Sequence, residues 1–245
     1  MVEGALDLFA GVLAHAAMEG RDAVLGILDR LQAPRILLPG NHDFLVDPDR
    51  LSDVHARLGM PMPYHEVSFP GLRLLVIDGN EISLFSAAEG DARHAEARLR
   101  LQALKASGAA NAHEWNAGIS DRQADWIAER LVTAQGCGEK VILLGHYPIY
   151  PPSDHMLWDA ERLAASVASA PSAIAYLCGH QHAGGYAERN GVHFVNFCGM
   201  VDTEKTNAYA VLTLFEDRIE ILGYGREPGR HLPLTSQKRA GSALS

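Results

Sequence analysis

The sequence predicts an α/β fold in the broad sense, with mixed β-sheets packed face to face and flanked by helices. Three observations predict it. Apolar runs alternate with helical patterns through the first three quarters of the chain; three of these runs end in glycine followed at once by a ligand-type residue; and the last quarter turns to β-branched and aromatic runs. The glycine junctions are Gly40-Asn41, Gly145-His146 and Gly179-His180. In open α/β sheets ligands bind beyond the carboxyl ends of the strands, so these junctions mark the expected site.

The opening Ala/Leu-rich stretch, including Asp7, Asp22 and Asp29, reads as helical. Val24, Leu28 and Leu31 keep helical spacing until Ala33-Pro34 ends the helix. Ile36 to Leu38 follows as a short buried strand. Asp47-Pro48-Asp49 caps a second, short helix, and Met60-Pro61-Met62-Pro63 is an irregular connection. Leu72 to Ile77 is a strand closing in the turn Asp78-Gly79-Asn80. Arg93, Glu96, Arg98 and Arg100 stud an amphipathic helix, after which Gly108 to Gly118 forms a long loop of the kind that often carries function.

Ser120 and Gln123 fit a capping box, with Gln123 reaching back over the helix start, and Trp126, Ile127 and Leu131 form that helix's apolar face. Val141 to Leu144 and Ile174 to Cys178 are buried strands separated by a helix over Asp159 to Ala168. Val192 to Phe197, Tyr209 to Phe215 and Arg218 to Leu222 are strands, the last two joined by a hairpin at Glu216-Asp217. Gly225 onward reads as a tail. A single domain over residues 1–234, with 235–245 disordered, is the expected organisation.

With 245 residues, 47% of them hydrophobic, the chain can bury a substantial core. A formal charge of −9 argues against non-specific nucleic-acid binding, which needs a basic face. Cys137, Cys178 and Cys198 are odd in number, widely spaced and without C-x-x-C spacing, so neither a disulfide framework nor a zinc knuckle is indicated and a reducing, cytoplasmic compartment is the simplest reading. The apolar stretch Ala5 to Met18 is interrupted by Asp7 and His15, lacks a basic leader and is too short to span a bilayer. A small-molecule phosphoester or nucleoside diphosphate is the expected partner. Oligomeric state is left open.

The chemistry gathers at the glycine junctions. An Asn41 amide oxygen can ligate a hard divalent ion, and His42 beside it can move a proton. His180 and His182 stand two apart; on an extended backbone their rings share a face with Cα atoms roughly 7 Å apart, which suits two ions about 3.5 to 4 Å from each other. Asn41, His146 and His180 then enclose one ion and His182 faces the other. Mixed oxygen and imidazole ligation favours manganese or iron over a thiolate zinc site. His155 and His193 read as structural or solvent-facing, and Trp158, Tyr186 and Tyr150 as packing residues. Asp43 and Asp78 read as turn residues or supports behind the ligands, and Cys178 and Cys198 as buried.

Gly-Asn-His-Asp at Gly40 to Asp43, Gly145-His146 and Gly179-His180-Gln181-His182, in this order and spacing, resemble the calcineurin-like metallophosphoesterase superfamily. Trp115-Asn116-Ala117-Gly118-Ile119-Ser120, His146-Tyr147-Pro148-Ile149-Tyr150, His182-Ala183-Gly184-Gly185-Tyr186 and Val192-His193-Phe194-Val195-Asn196 look like its manganese-dependent ADP-ribose/CDP-alcohol diphosphatase branch, over residues 22 to 232. The resemblance implies Asn41, His146 and His180 on one metal and His182 on the other. It also implies that His42 protonates the leaving group or stabilises the transferring phosphoryl, and that metal-activated water attacks in line. Two Mn²⁺ ions are expected, with iron or zinc as alternatives.

Two acidic motifs of the superfamily, Asp-x-His and Gly-Asp, do not occur before Gly40. The chain begins Met1-Val2-Glu3-Gly4, which resembles the residues that usually follow the Gly-Asp pair, so Met1 is expected to be an internal start with the first strands lost upstream. Without those carboxylates one metal keeps three ligands and the other only His182. The expected activity is hydrolysis of the phosphoanhydride in ADP-ribose or CDP-alcohol compounds. The alternatives are a phosphomonoesterase or cyclic-nucleotide phosphodiesterase, and a catalytically impaired remnant that binds nucleotide or metal.

Overall fold

The computed structural model describes residues 6–10, 25–30 and 32–234. Its centre is a six-stranded sheet made of β2 (His65–Phe69), β3 (Leu72–Val76), β4 (Lys140–Leu144), β5 (Ala173–Cys178), β6 (Gly185–Arg189) and β7 (Val192–Asn196). The strand order is β2-β3-β4-β5-β7-β6; the four inner strands run parallel and the two edges antiparallel. β3, β5 and β7 are buried along their whole length, as strands covered on both faces must be, which is why they read as near-continuous apolar runs. A second sheet is antiparallel throughout, with β1 (Leu6–Ala10), β8 (Ala208–Leu214), β9 (Arg218–Gly225) and β10 (Arg230–Pro233) in the order β1-β8-β9-β10.

The alternation of side chains across the pleat builds two cores. Leu72, Leu74, Ile142, Leu177 and Val195 meet Ala210, Leu212, Ile219, Ile221 and Leu232 between the sheets. On the other face Leu75, Leu143, Tyr176 and Phe194 pack against Ile127 and Leu131 of α3 (Asp121–Cys137) and Leu163 and Val167 of α4 (Ala160–Ser169). A smaller cluster seats Ala97 and Leu101 of α2 (Ala92–Ser107) against Ile82 and Trp158. A four-residue α1 (Val54–Arg57) follows a 3₁₀ turn over Pro48–Asp53. No helix among the described residues is long and apolar enough to cross a membrane.

Several expectations are corrected. Residues 6–10, Asp7 among them, form a strand laddered to β8, a tertiary pairing that overrides helix propensity. Ile36 to Leu38 is half-buried but joins no ladder; its neighbour Pro39 is held by side chains instead, the Asn80 amide donating to the Pro39 carbonyl at 2.9 Å. β2, β6 and β10 were not expected, because short edge strands that bury few side chains leave little apolar periodicity. β10 also removes residues 230–233 from the expected tail. Of the helix around Val24 to Leu31, only a turn at 25–28 is described; Asp22 and the tail 235–245 lie outside the described residues.

The capping box is half right. The Ser120 hydroxyl accepts from the Gln123 backbone N–H at 3.1 Å, but the reciprocal contact to the Ser120 N–H comes from Glu81 at 2.8 Å. Gln123, fully buried, is diverted to clamp the turn after β3: it accepts from the Asp78 N–H at 2.8 Å and donates to the Asp78 carbonyl at 3.1 Å and to Glu81 at 2.6 Å. Gln123→Ala strands both backbone groups of Asp78 in a dry site and should destabilise the protein by about 2–4 kcal/mol in urea unfolding, whereas a loss under about 1 kcal/mol would show that the clamp is dispensable.

Candidate functional site

The parallel strands deliver their carboxyl ends to one rim. There β4 passes through Gly145 to His146, and β5 through Gly179 to His180. The 3₁₀ turn Asn41–Phe44 brings up Asn41, fixed by the Asp43 carboxylate accepting from the Gly40 N–H at 2.8 Å. His146 Nε2 lies 3.1 Å from Asn41 Oδ1 and 3.1 Å from His180 Nδ1. Gly40 is required by this approach, since a Cβ there would come within 2.7 Å of His146 Cε1.

His180 does not sit on extended backbone. Its φ of +67° is left-handed, a conformation that costs a non-glycine residue about 1–2 kcal/mol. Side-chain alternation is therefore broken at His180, and the two histidines part. His180 turns inward, 9% exposed, with Nε2 3.2 Å from Asn116 Oδ1. The His182 ring stays more open, with Nδ1 2.9 Å from Asp202 Oδ1, and it packs so near Gly199 that a Cβ there would lie 2.9 Å from its Cγ.

Burial controls the charge of this cluster. Desolvation, reinforced by the charges of His42 and His182, lowers His146 to about 3; desolvation, with His146, His155, His182 and His42 around it, lowers His180 to about 2. Both rings are therefore neutral and keep a lone pair near neutral pH. His42, on the exposed side of its turn, is near enough to act on both through its charge.

Asn41 Oδ1, His146 Nε2 and His180 Nδ1 thus form a convergent set of neutral donors, and its chemistry fits one side of a divalent ion. The set carries no negative charge. Among the described residues no three His, Cys, Asp or Glu side chains form a metal cage, so a complete two-ion cradle is not assembled by them. Asp29 is turned to the surface in an ion pair with Arg35 at 2.8 Å, which removes it as a ligand candidate.

The other expected residues fall as follows. Asp43 and Asp78 support turns: Asp78 accepts from the Asn80 N–H and pairs with His55 at 3.0 Å. His193 is buried between the Tyr186 hydroxyl and the Pro233 carbonyl. Trp158 is buried and donates to the His113 carbonyl, while Tyr150 packs on Phe194. Cys178 and Cys198 are buried. His155 is closer to the chemistry than expected, its ring centroid 5.5 Å from that of His180. Asn116 and Asp202 were missed as site residues. Asn116 lies in the long loop and in the Trp115 to Ser120 stretch that resembles the family, a signal that Asp202 lacks.

The calcineurin-like phosphoesterase family model matches residues 7–184. Among curated relatives, the manganese-dependent ADP-ribose/CDP-alcohol diphosphatase of Homo sapiens is 26% identical over 88% of this chain and 72% of its own length. The Mus musculus protein of the same name is 28% identical over 68% of this chain, which spans about half of it, 53%. A crystallised dimetal phosphatase from Danio rerio superposes with a TM-score of 0.80 at 23% identity, covering 89% of this chain and 77% of that one, a likeness of fold. Matched along well over half its length and carrying the same sandwich, this chain belongs to the calcineurin-like phosphoesterase family.

Proposed function

We propose that the protein is a manganese-dependent hydrolase of the phosphoanhydride bond in nucleoside-diphosphate-linked compounds of the ADP-ribose or CDP-alcohol type. The observation that carries this reading is the convergence of half-buried Asn41 and His146 with buried His180, all neutral, at the strand ends of a chain of this family. The names of the relatives support the choice of substrate and metal. Asn41, His146 and His180 hold one ion, and His182 serves the second. Bound divalent ions supply Lewis acidity to the phosphoryl oxygens and to the attacking water. His42 protonates the leaving oxygen or stabilises the phosphoryl in transfer, a role its exposed position near His146 and His180 allows. A single domain takes in residues 1–234 of this chain without being bounded by Met1, and three free cysteines suit a reducing cytoplasm.

The neutrality of the donor set favours a second reading, a domain that binds one metal ion or a nucleotide without turnover. Metal analysis and a substrate panel separate the two. With Mn²⁺, the hydrolase reading expects release of nucleoside monophosphate from ADP-ribose or a CDP-alcohol in preference to a phosphomonoester or a cyclic nucleotide. Preference for either of those overturns the substrate assignment. One bound ion or none, with no hydrolysis across the panel, supports the second reading.

His42→Ala should lower turnover by about a hundredfold or more while leaving Mn²⁺ content unchanged. Equal loss of both would make His42 part of the metal cradle instead.

The lowered His146 and His180 values also set a pH dependence for the metal-free protein. Between the ordinary histidine value, about 6.5, and the folded values, about 3 and about 2, the unfolded chain binds more protons. Stability is therefore full above pH ~6.5 and falls on acidification, by up to about 1.4 kcal/mol per pH unit for each ring. Urea midpoints at neutral and mildly acid pH measure it, and the paired variant His146→Asn/His180→Asn should lose that slope; a retained wild-type slope would refute the assignment.

A further inference from the structure

We infer that Asn116 is a positioning residue that fixes the tautomer of His180, so that Nδ1, and not Nε2, presents the lone pair to the site. This rests on the reading above only in giving that lone pair a metal to meet; the tautomer itself follows from the hydrogen bonds.

Two backbone carbonyls fix which way the Asn116 amide faces. The Asn116 side chain is fully buried, and its Nδ2 donates to the Asn111 carbonyl at 3.0 Å and to the Asp154 carbonyl at 2.6 Å. Carbonyl oxygens only accept, so both positions require the NH₂ end of the amide, and the ambiguity between the two amide ends disappears. Oδ1 is left facing His180 Nε2 at 3.2 Å. An amide oxygen also only accepts, so Nε2 must carry the hydrogen. The neutral ring then keeps its lone pair on Nδ1, the atom that lies 3.1 Å from His146 Nε2.

The anchor is well placed to hold this geometry. Asn111, itself buried, donates to the Leu157 carbonyl at 2.8 Å, so the carbonyl that grips Asn116 belongs to a tied segment. The loop containing Asn116 is pinned at Gly118, whose N–H and carbonyl bond reciprocally with Ile82. Asn116 therefore reaches the site from fixed backbone on one side, while the strained φ of His180 holds the ring to it on the other. An unanchored imidazole would distribute its hydrogen between both nitrogens and offer the lone pair to the wrong side part of the time.

Long-range ¹H–¹⁵N correlation spectra of the metal-free, ¹⁵N-labelled protein test this directly, with the His180 signals identified by their loss in His180→Asn. The wild type should show His180 as the Nε2–H tautomer. In Asn116→Leu, which matches the volume and cannot accept, that tautomer should give way to the Nδ1–H form or a mixture, and the Kd for Mn²⁺ should rise by about ten- to a hundredfold. Circular dichroism confirms that the variant is folded. An Nδ1–H tautomer in the wild type overturns the inference even if the variant fails to fold, and so does a folded variant that keeps the Nε2–H form. Failure of the wild type to bind Mn²⁺ counts against the ion-binding reading, while the tautomer result still decides this one.

Discussion

His146 Nε2 is the point on which the site turns. It stands 3.1 Å from both Asn41 and His180, atoms delivered by a 3₁₀ turn and by a different strand, and its ring occupies the space beside Gly40 that a side chain would need. The distances hold only because β4 and β5 run parallel and, past a register shift between Val141 and Ile142, stay in step from Ile142–Ala175 to Leu144–Leu177, so that their glycine exits leave the sheet together. Moving either strand by one residue would turn its side chains to the opposite face and dissolve the convergence. The apolar cores on both faces of the sheet are what resist such a slip.

A lattice of hydrogen bonds around Asp78 carries this rigidity to the part of the site that has no strand beneath it. The Tyr147 hydroxyl donates to Asn80 at 2.8 Å, and Asn80 donates to the Pro39 carbonyl, so the turn bearing Asn41 is tied to the residue that follows His146. Gln123 and Glu81 lock the turn at Asp78–Asn80 to the start of α3. These polar groups are buried and mutually satisfied, which makes them costly to disturb singly.

The site is electrically unusual for one that would meet phosphates. Its histidine donors are neutral at physiological pH, since desolvation and neighbouring imidazoles oppose protonation of His146 and His180. Neutral imidazoles are the form that binds metal, and a divalent ion would lend the site the positive charge that its own side chains do not provide. His180 and His182 are each anchored at the outer nitrogen, by Asn116 and Asp202, so these two rings are oriented before any ion arrives.

The sequence by itself determined the parallel core and the donor types. Continuous apolar runs at Leu72 to Ile77, Val141 to Leu144 and Ile174 to Cys178 leave little alternative to doubly covered strands, and each glycine exit announces a change of direction with a functional residue after it. Edge strands were harder to see, because a strand such as Arg230–Pro233, with one buried side chain, leaves no periodic signal. Only the tertiary structure decided how His180 and His182 part, since a single left-handed φ cancels the alternation that sequence spacing assumes. It alone also brought Asn116 to His180 across 64 positions and Asp202 to His182 across 20. Contacts of that range are set by how loops close over a packed sheet, and nothing local in the chain encodes them.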